Sequence, residues 1–338
     1  MKKILVTGGA GYIGSHAVFA LAERGYQVVI LDNLFRGYKQ AVETLQNHFS
    51  DEQILFEKVD LLEFDNLKQV LAKHDDAEVL MHFAALCLVN ESMEQPDLYF
   101  RNNTQGTINL LEAMRAAGIK NLVFSSTCNI YKVVGDGKVD EQVAAEPPNP
   151  YGESKYLSER MITWYEQIYG LNAVRFRYFN VCGANSEGII GDSKKPSQLL
   201  IQNAVRGALG IEPFSFTYGE VDTPDGSPVR DYINVEDLAD IHVLAAEKLM
   251  AGEEVAGLYN VGTGTGNSVK EAVDLVKEVT GKDFPTEKGQ ARKGEPSKIY
   301  ADTTKTKKTF GWEAKRSIED SIVSLVKWYE KHPNGWDE

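Results

Sequence analysis

KKILVTGGAGYIGSHAVFALAERGYQVVILDNL, residues 2–34, reads as strand, glycine turn, helix and strand. Ile4 to Thr7 is a short apolar run with β-branched residues, as expected of a parallel strand buried on both faces. Gly8, Gly11 and Gly14 follow at three-residue spacing. The first permits a tight turn, the second lets the backbone approach a pyrophosphate, and the third lets the helix pack on the strand. The helix carries Ile13, Ala17, Val18 and Leu21 on one side and stops near Arg24 and Gly25. Its first N–H groups face the phosphates with the positive end of the helix dipole. Gln27 to Leu31 forms the second strand, and Asp32 stands at its end, where an acidic residue chelates the adenosine ribose hydroxyls. A carboxylate there repels a 2′-phosphate, and Asn33, Leu34 and Phe35 bring no early arginine, so NAD is favoured over NADP.

Downstream, the run NPYGESK (149–155) sets Tyr151 and Lys155 four residues apart, on one face of a helix. Ser125, Ser126 and Thr127 lie about one supersecondary unit upstream. A tyrosine hydroxyl titrates near ~10, and a permanent positive charge beside it favours the phenolate. A downward shift of about three units makes the phenol a competent general base at neutral pH. The pair is built to take a proton from an alcohol, and the dinucleotide turn supplies what that abstraction serves.

Strand-like and helix-like runs alternate along the chain. Strands are predicted at 54–59, 79–83, 121–125 and 173–178, and helices at 64–72, 103–117 and 151–169. Leu157, Met161, Trp164, Tyr165 and Ile168 form one stripe of the last helix and predict its core face, with the opposite face offering Tyr151 and Lys155. Beyond Asn180 the pattern is less regular, but 235–249 reads as a helix and 258–261 as a strand. The expected class is α/β: a doubly wound parallel Rossmann sheet with a smaller mixed α/β substrate lobe. The expected domains are 1–180, with 231–263 returning to it, for NAD, and 181–230 with 264–338 for the substrate. Residues 333–338 are expected to fray.

Composition narrows the function classes. A net charge of −13 argues against nucleic acid or an anionic membrane surface as partner. Cys87, Cys128 and Cys182 are scattered with no C-x-x-C spacing, which fits free thiols in a reducing compartment. No stretch is long and apolar enough to span a bilayer, so a soluble, cytoplasmic protein is expected. The six histidines show no metal-ligand spacing, and no metal is expected.

GGAGYIGSH, VVILDNL, MHFAAL, FSSTC, NPYGESK, RYFNVCGA, VRDYINVEDLA and YNVGTGTGNSV together resemble the extended short-chain dehydrogenase/reductase superfamily, in its NAD-dependent epimerase branch. The resemblance covers nearly the whole chain. It implies NAD held throughout the cycle and a UDP-hexose substrate, UDP-glucose or UDP-galactose. A tyrosine takes the proton of the sugar 4-hydroxyl while hydride passes to the nicotinamide. The 4-ketose turns over and receives the hydride on its other face. It further implies a homodimer through helices near 103–117 and 151–169.

Carried onto this chain, the resemblance makes Tyr151 the base, Thr127 its hydrogen-bonding partner on the sugar hydroxyl, and Lys155 the group that lowers the phenol's pKa and holds the nicotinamide ribose. NAD contacts fall on Gly8, Gly11, Tyr12, Ile13, Gly14, Asp32, Asn33, Asp60, Leu61, Phe83, Ala84, Ala85, Asn103, Ser125 and Tyr178. UDP-sugar contacts fall on Asn180, Gln198, Leu199, Tyr218, Arg230, Arg292, Glu295 and Ile299. Arginine suits this work because its planar fork meets phosphate oxygens bidentately. Alternatively, Arg230 pairs with Asp231 or Glu236, and Tyr218 is core.

Departures from the family pattern are Cys87, where some members carry lysine, Lys132 in place of a glycine, and Ile299 at the position that gates the sugar 2-substituent. Isoleucine is intermediate in volume, so N-acetylhexosamines stay open beside plain hexoses. Cys128 and Asn129 after Thr127 cannot supply the acid and base a 4,6-dehydratase needs. A non-catalytic NAD sensor on this scaffold would keep the glycines and Asp32 but lose the Tyr–Lys pair.

Overall fold

A computed structural model describes residues 1–132, 137–193, 197–219, 221–288 and 296–336. They fall into two compact units, Met1–Lys132 with Ala144–Arg177 and Ala239–Tyr259, and Val133–Val143 with Tyr178–Leu238 and Asn260–Glu338. The first half of the chain runs β1 (Lys3–Thr7), α1 (Tyr12–Glu23), β2 (Gln27–Asp32), α2 (Lys39–His48), β3 (Ile54–Lys58), α3 (Phe64–Lys73), β4 (Val79–His82), α4 (Val89–Glu94) and α5 (Pro96–Tyr99). A π-helical turn, Phe100–Gln105, leads into α6 (Gly106–Ala117), β5 (Asn121–Ser125), β6 (Lys138–Val139), α7 (Pro150–Tyr169) and β7 (Asn172–Tyr178). Then follow β8 (Asn180–Cys182), α8 (Leu200–Ala208), β9 (Ser215–Phe216), β10 (Val229–Arg230), β11 (Tyr232–Asn234), α9 (Val235–Met250) and β12 (Gly257–Val261). The chain closes with β13 (Asn267–Ser268), α10 (Val269–Thr280), β14 (Glu287–Lys288), β15 (Lys298–Ala301), α11 (Thr304–Phe310) and α12 (Ile318–Lys331).

The first unit is built on a sheet of order β12-β7-β5-β4-β1-β2-β3, and its pairings from β7 to β3 are parallel. Leu5, Val29, Leu80, Leu122 and Phe124 are fully or almost fully buried in one cluster with Leu110 and Met114 of α6. Continuous apolar strands of this kind are what a sheet covered on both faces requires. The order places β1 between β4 and β2, so the glycine turn stands at the centre of the sheet's carboxyl edge, the usual ligand-binding edge of such a sheet.

Two expectations are corrected. The helix expected to begin at Asn103 opens as the π-helical turn, which a hydrophobic pattern cannot distinguish from α-helix. That turn lets Asn103 Nδ2 donate to the Leu86 carbonyl and to Ser154 Oγ, while its Oδ1 accepts from the Leu86 N–H. The stripe expected to be the core face of α7 is so only in part: Met161 and Tyr165 pack against the core cluster, but Trp164 is 58% and Ile168 62% exposed. The buried face instead carries Tyr151, Ser154, Lys155, Ser158, Glu159 and Ile162. Small hydroxyls make this possible, because Ser158 Oγ lies 3.2 Å from Thr107 Oγ1 and 2.9 Å from the Ser154 carbonyl, leaving the polar face satisfied in a dry setting.

The second unit holds a sheet of order β13-β10-β15-β6 and the pairs β11-β8 and β14-β9. Its C-terminal segment does not fray as far as Trp336: the Trp336 side chain is buried, edge-on to Trp328 at 4.7 Å, and the Trp336 backbone N–H donates to Ser193 Oγ.

Candidate active site

The glycine turn is a set of close approaches. Gly8 has φ +70°, and a Cβ on it would lie 2.6 Å from the Ala84 nitrogen. A Cβ on Gly14 would lie 2.1 Å from the Gly8 carbonyl oxygen, so α1 can rest against the turn only because this position has no side chain. Gly14→Ala is therefore expected to cost about 3 kcal/mol and to empty the dinucleotide site, read by urea denaturation and by bound nicotinamide absorbance. Gly11 begins α1 in extended conformation with no side-chain cap, and within 4 Å a Cβ there would meet only the Gly8 oxygen. The N-terminus of α1, with Tyr12 and Ile13 in its first turn, thus presents the backbone N–H groups and positive dipole end that suit a phosphate.

At the end of β2, the buried Asp32 carboxylate accepts from the N–H of Ala10 at 3.1 Å and of Leu34 at 2.8 Å. Burial pushes its pKa up, and these two N–H groups act the other way. Asn33 Nδ2 donates to Asp60 Oδ2 at 2.8 Å, tying the ends of β2 and β3 together, and Leu61 abuts Gly106. Phe83 and Ala84 extend β4 past its last residue, with the Phe83 N–H on the Thr7 carbonyl at 3.0 Å and the Ala84 N–H reaching Thr7 Oγ1; Ala85 follows them.

The Tyr–Lys pair is placed by the start of α7. Asn149 caps the helix through a hydrogen bond from the Gly152 N–H, and Pro150 fills its first position. A Cβ on Gly152 would stand 2.3 Å from the Asn129 carbonyl, so the helix start presses on the turn that follows Thr127. Thr127 is buried and accepts from the Asn129 N–H at 3.2 Å. Tyr151 is buried in a cluster with Leu86 and Tyr99, the Tyr99 ring edge-on to it at 6.4 Å. Lys155 is only 2% exposed, with Nζ 4.5 Å from the Phe124 ring centroid. Burial pulls its pKa down to about 8, while Cys87 and Glu159 act to raise it.

His82, at the end of β4, binds Thr7 Oγ1 at 2.7 Å through Nδ1 and Thr107 Oγ1 at 3.3 Å through Nε2. Burial, then the charge of Lys155, holds its pKa well below the usual value, so it stays neutral and adds no second cation beside the lysine. Ser125 Oγ lies 3.1 Å from His242 Nε2.

Sequence reasoning passed over Glu159 and Arg177. Glu159 accepts from Ser126 Oγ at 2.5 Å and from Arg177 Nε at 2.9 Å, and the guanidinium lies over the Tyr131 ring. This buried pair anchors the segment that carries Thr127. The available signal was the spacing: Tyr151, Lys155 and Glu159 recur every four residues on one helix face.

Within the second unit, Arg230 on β10 stands opposite Ile299 in the parallel pairing with β15, and both are buried. The neighbouring Asp231 carboxylate accepts from Thr263, Gly264 and Ala301 N–H groups and the Thr263 hydroxyl, which locks β10, β15 and the loop after β12 together. Tyr218 lies edge-on to Phe216 at 5.3 Å, and burial, then Asp225, pushes its pKa up. Gln198 and Leu199 immediately precede α8, Tyr178 ends β7, and the N–H of Asn180 on β8 donates to the Asp231 carbonyl. Arg292 and Glu295 lie outside the described residues.

A parallel sheet with a glycine turn at its centre and a buried Tyr–Lys pair at the same edge defines a dinucleotide-dependent enzyme of the short-chain dehydrogenase/reductase type. Comparison is narrower still: a model of the NAD dependent epimerase/dehydratase family matches residues 4–262, and the chain belongs to that family. It is 38% identical over 338 residues to the UDP-glucose 4-epimerase of Lactobacillus helveticus, with 99% of each chain covered. The UDP-glucose 4-epimerase of Bifidobacterium longum, solved with NAD+ and UDP, superposes with a TM-score of 0.93 at 32% identity, covering 99% of this chain and 100% of that one. The Stenotrophomonas maltophila enzyme, solved with NAD and formylated UDP-arabinopyranose, gives 0.92 at 33% identity, covering 98% and 99%. The cradle described above fits the family's cofactor: backbone N–H groups for a pyrophosphate, a buried terminal carboxylate for ribose hydroxyls, and one lysine in the first unit's buried edge.

Proposed function

We propose that this chain interconverts UDP-glucose and UDP-galactose by transient oxidation at the sugar's 4-position. The observation that carries the reading is the buried Lys155 on the same helix face as Tyr151, at the edge of the sheet that bears the glycine turn. Bound NAD supplies a hydride acceptor that later gives the hydride back. Tyr151 takes the 4-hydroxyl proton and returns it, and Thr127 orients that hydroxyl. Lys155 compensates the phenolate charge and donates to the cofactor's ribose. Neutral His82 adds no second cation beside Lys155, and the buried Glu159–Arg177 pair holds the neighbouring strand in place. The second unit is the nucleotide-sugar lobe, with Arg230 and Arg292 on phosphate, Tyr218 on uracil, and Asn180, Gln198, Leu199, Glu295 and Ile299 completing the contacts.

Purified protein given UDP-glucose is expected to produce UDP-galactose with no net change in nicotinamide absorbance once equilibrium is reached. Accumulation of reduced cofactor in step with product, or no product, overturns the reading. A second substrate class rests on Ile299, whose side chain is smaller than tyrosine; kinetics with UDP-galactose beside UDP-N-acetylgalactosamine decide whether it is admitted. Exposed Trp164 and Ile168 on α7 support a homodimer closing over that helix, with sedimentation as the check. Among the described residues no helix is long and apolar enough to cross a membrane, and the three cysteines form no disulfide, which supports a cytoplasmic setting.

A further inference from the structure

We propose that Arg36, Glu91 and Tyr99 form a clasp that closes over the bound dinucleotide and sets how slowly it leaves. The glycine turn after β1 lies between the loop that follows β2 and the segment from β4 into α4. A bond between those two segments spans the edge of the sheet on which the turn stands, where the pyrophosphate of a Rossmann dinucleotide lies. Arg36 and Glu91 make such a bond, with Nη2 2.5 Å from Oε1.

Both ends are held. On the β2 side, the Tyr38 N–H donates to the Ala10 carbonyl at 3.0 Å, and a Cβ on Gly37 would come within 2.8 Å of Ala10 Cβ and Asp32 Oδ1. The loop is also bent: Leu34 has φ +61°, the one non-glycine residue with positive φ among the described residues. Such a backbone persists only where its surroundings over-determine it. On the α4 side, the second oxygen of Glu91 lies 2.6 Å from the Tyr99 hydroxyl, whose oxygen accepts from the Leu88 N–H at 3.0 Å. Tyr99 is fully buried and packs edge-on to Tyr151, so the carboxylate is rooted in the core rather than carried on a mobile surface helix. The side chains of Arg36 and Glu91 are 31% and 21% exposed, enough for solvent and salt to reach the bond and for it to open.

The proposal rests on the dinucleotide reading of the first unit, and the test separates the two. Full-length protein is loaded with radiolabelled NAD and chased with excess unlabelled NAD, without any sugar. Arg36→Met and Glu91→Gln are each expected to speed release about fivefold, a solvent-reached ion pair's worth. The double variant should release no faster than either single, and the reversal Arg36→Glu with Glu91→Arg should restore slow release. Tyr99→Phe, which keeps the ring but frees Glu91, should also speed it. High salt should quicken the parent and leave the single variants unmoved. Single variants releasing within twofold of the parent, or a double variant with additive effects, overturn the clasp and leave the dinucleotide reading standing. A parent that takes up no label sinks the dinucleotide reading and the clasp with it.

Discussion

Tyr151→Phe lowers turnover by about a hundred- to ten-thousand-fold, the usual contribution of a positioned general base, while NAD and UDP remain bound. The substitution removes one oxygen and keeps the ring, so the contacts with Leu86 and Tyr99 survive. Stability should therefore change little, and the melting temperature serves as the control. Turnover is read as initial rates of UDP-galactose formation, and cofactor content as bound nicotinamide. The variant separates two roles that the geometry alone leaves joined. If Tyr151 only packs the floor of the site, its hydroxyl is dispensable and rates fall by less than tenfold, which overturns the assignment. If it moves the proton, the rate collapses while the KM for the sugar nucleotide holds, because the lost interaction belongs to the transition state.

How much of this was legible in the sequence depends on what each residue's signal was made of. The glycine turn was readable because it is local: three glycines and a terminal aspartate are adjacent to the strands and helix they serve, and the structure places Gly8, Gly14 and Asp32 in the contacts that spacing requires. Tyr151 and Lys155 were readable for the same reason, since helical periodicity fixes their common face. The orientation of α7 was not. Apolar stripes normally mark the core, but here Ser154, Ser158 and Glu159 face inward because Thr107, Asn103, Ser126 and Arg177 meet them from elements 18 to 55 positions away in sequence. A polar residue that finds its partner across the fold reads as solvent-facing until the fold is known. Glu91 and Tyr99 escaped notice likewise, since Arg36 lies 55 positions from the carboxylate it meets.

The same burial that makes Lys155 useful makes it costly, and Lys155→Met exposes both sides. A lysine whose pKa falls from 10.5 to about 8 in the folded, NAD-free protein binds fewer protons there than in the unfolded chain at any pH between those values. Stability therefore rises as pH climbs from 8 toward 10.5, and the full penalty, about 3 kcal/mol, is present below pH 8. Methionine fills the volume without the charge. The NAD-free variant should melt several degrees higher than the parent at pH 7, the gap narrowing as pH rises above 8. Its chemistry should move the other way. With no ammonium beside it, the phenol returns toward its ordinary pKa near ~10, so turnover at pH 7 falls about a thousandfold and regains roughly tenfold per pH unit up to that value. A variant with an unshifted pH–rate profile refutes the charge compensation, and one that is less stable than the parent at pH 7 refutes the cost of burying it. Both outcomes together would leave Lys155 as a hydrogen-bonding strut for the ribose, with the proton transfer governed by some other group.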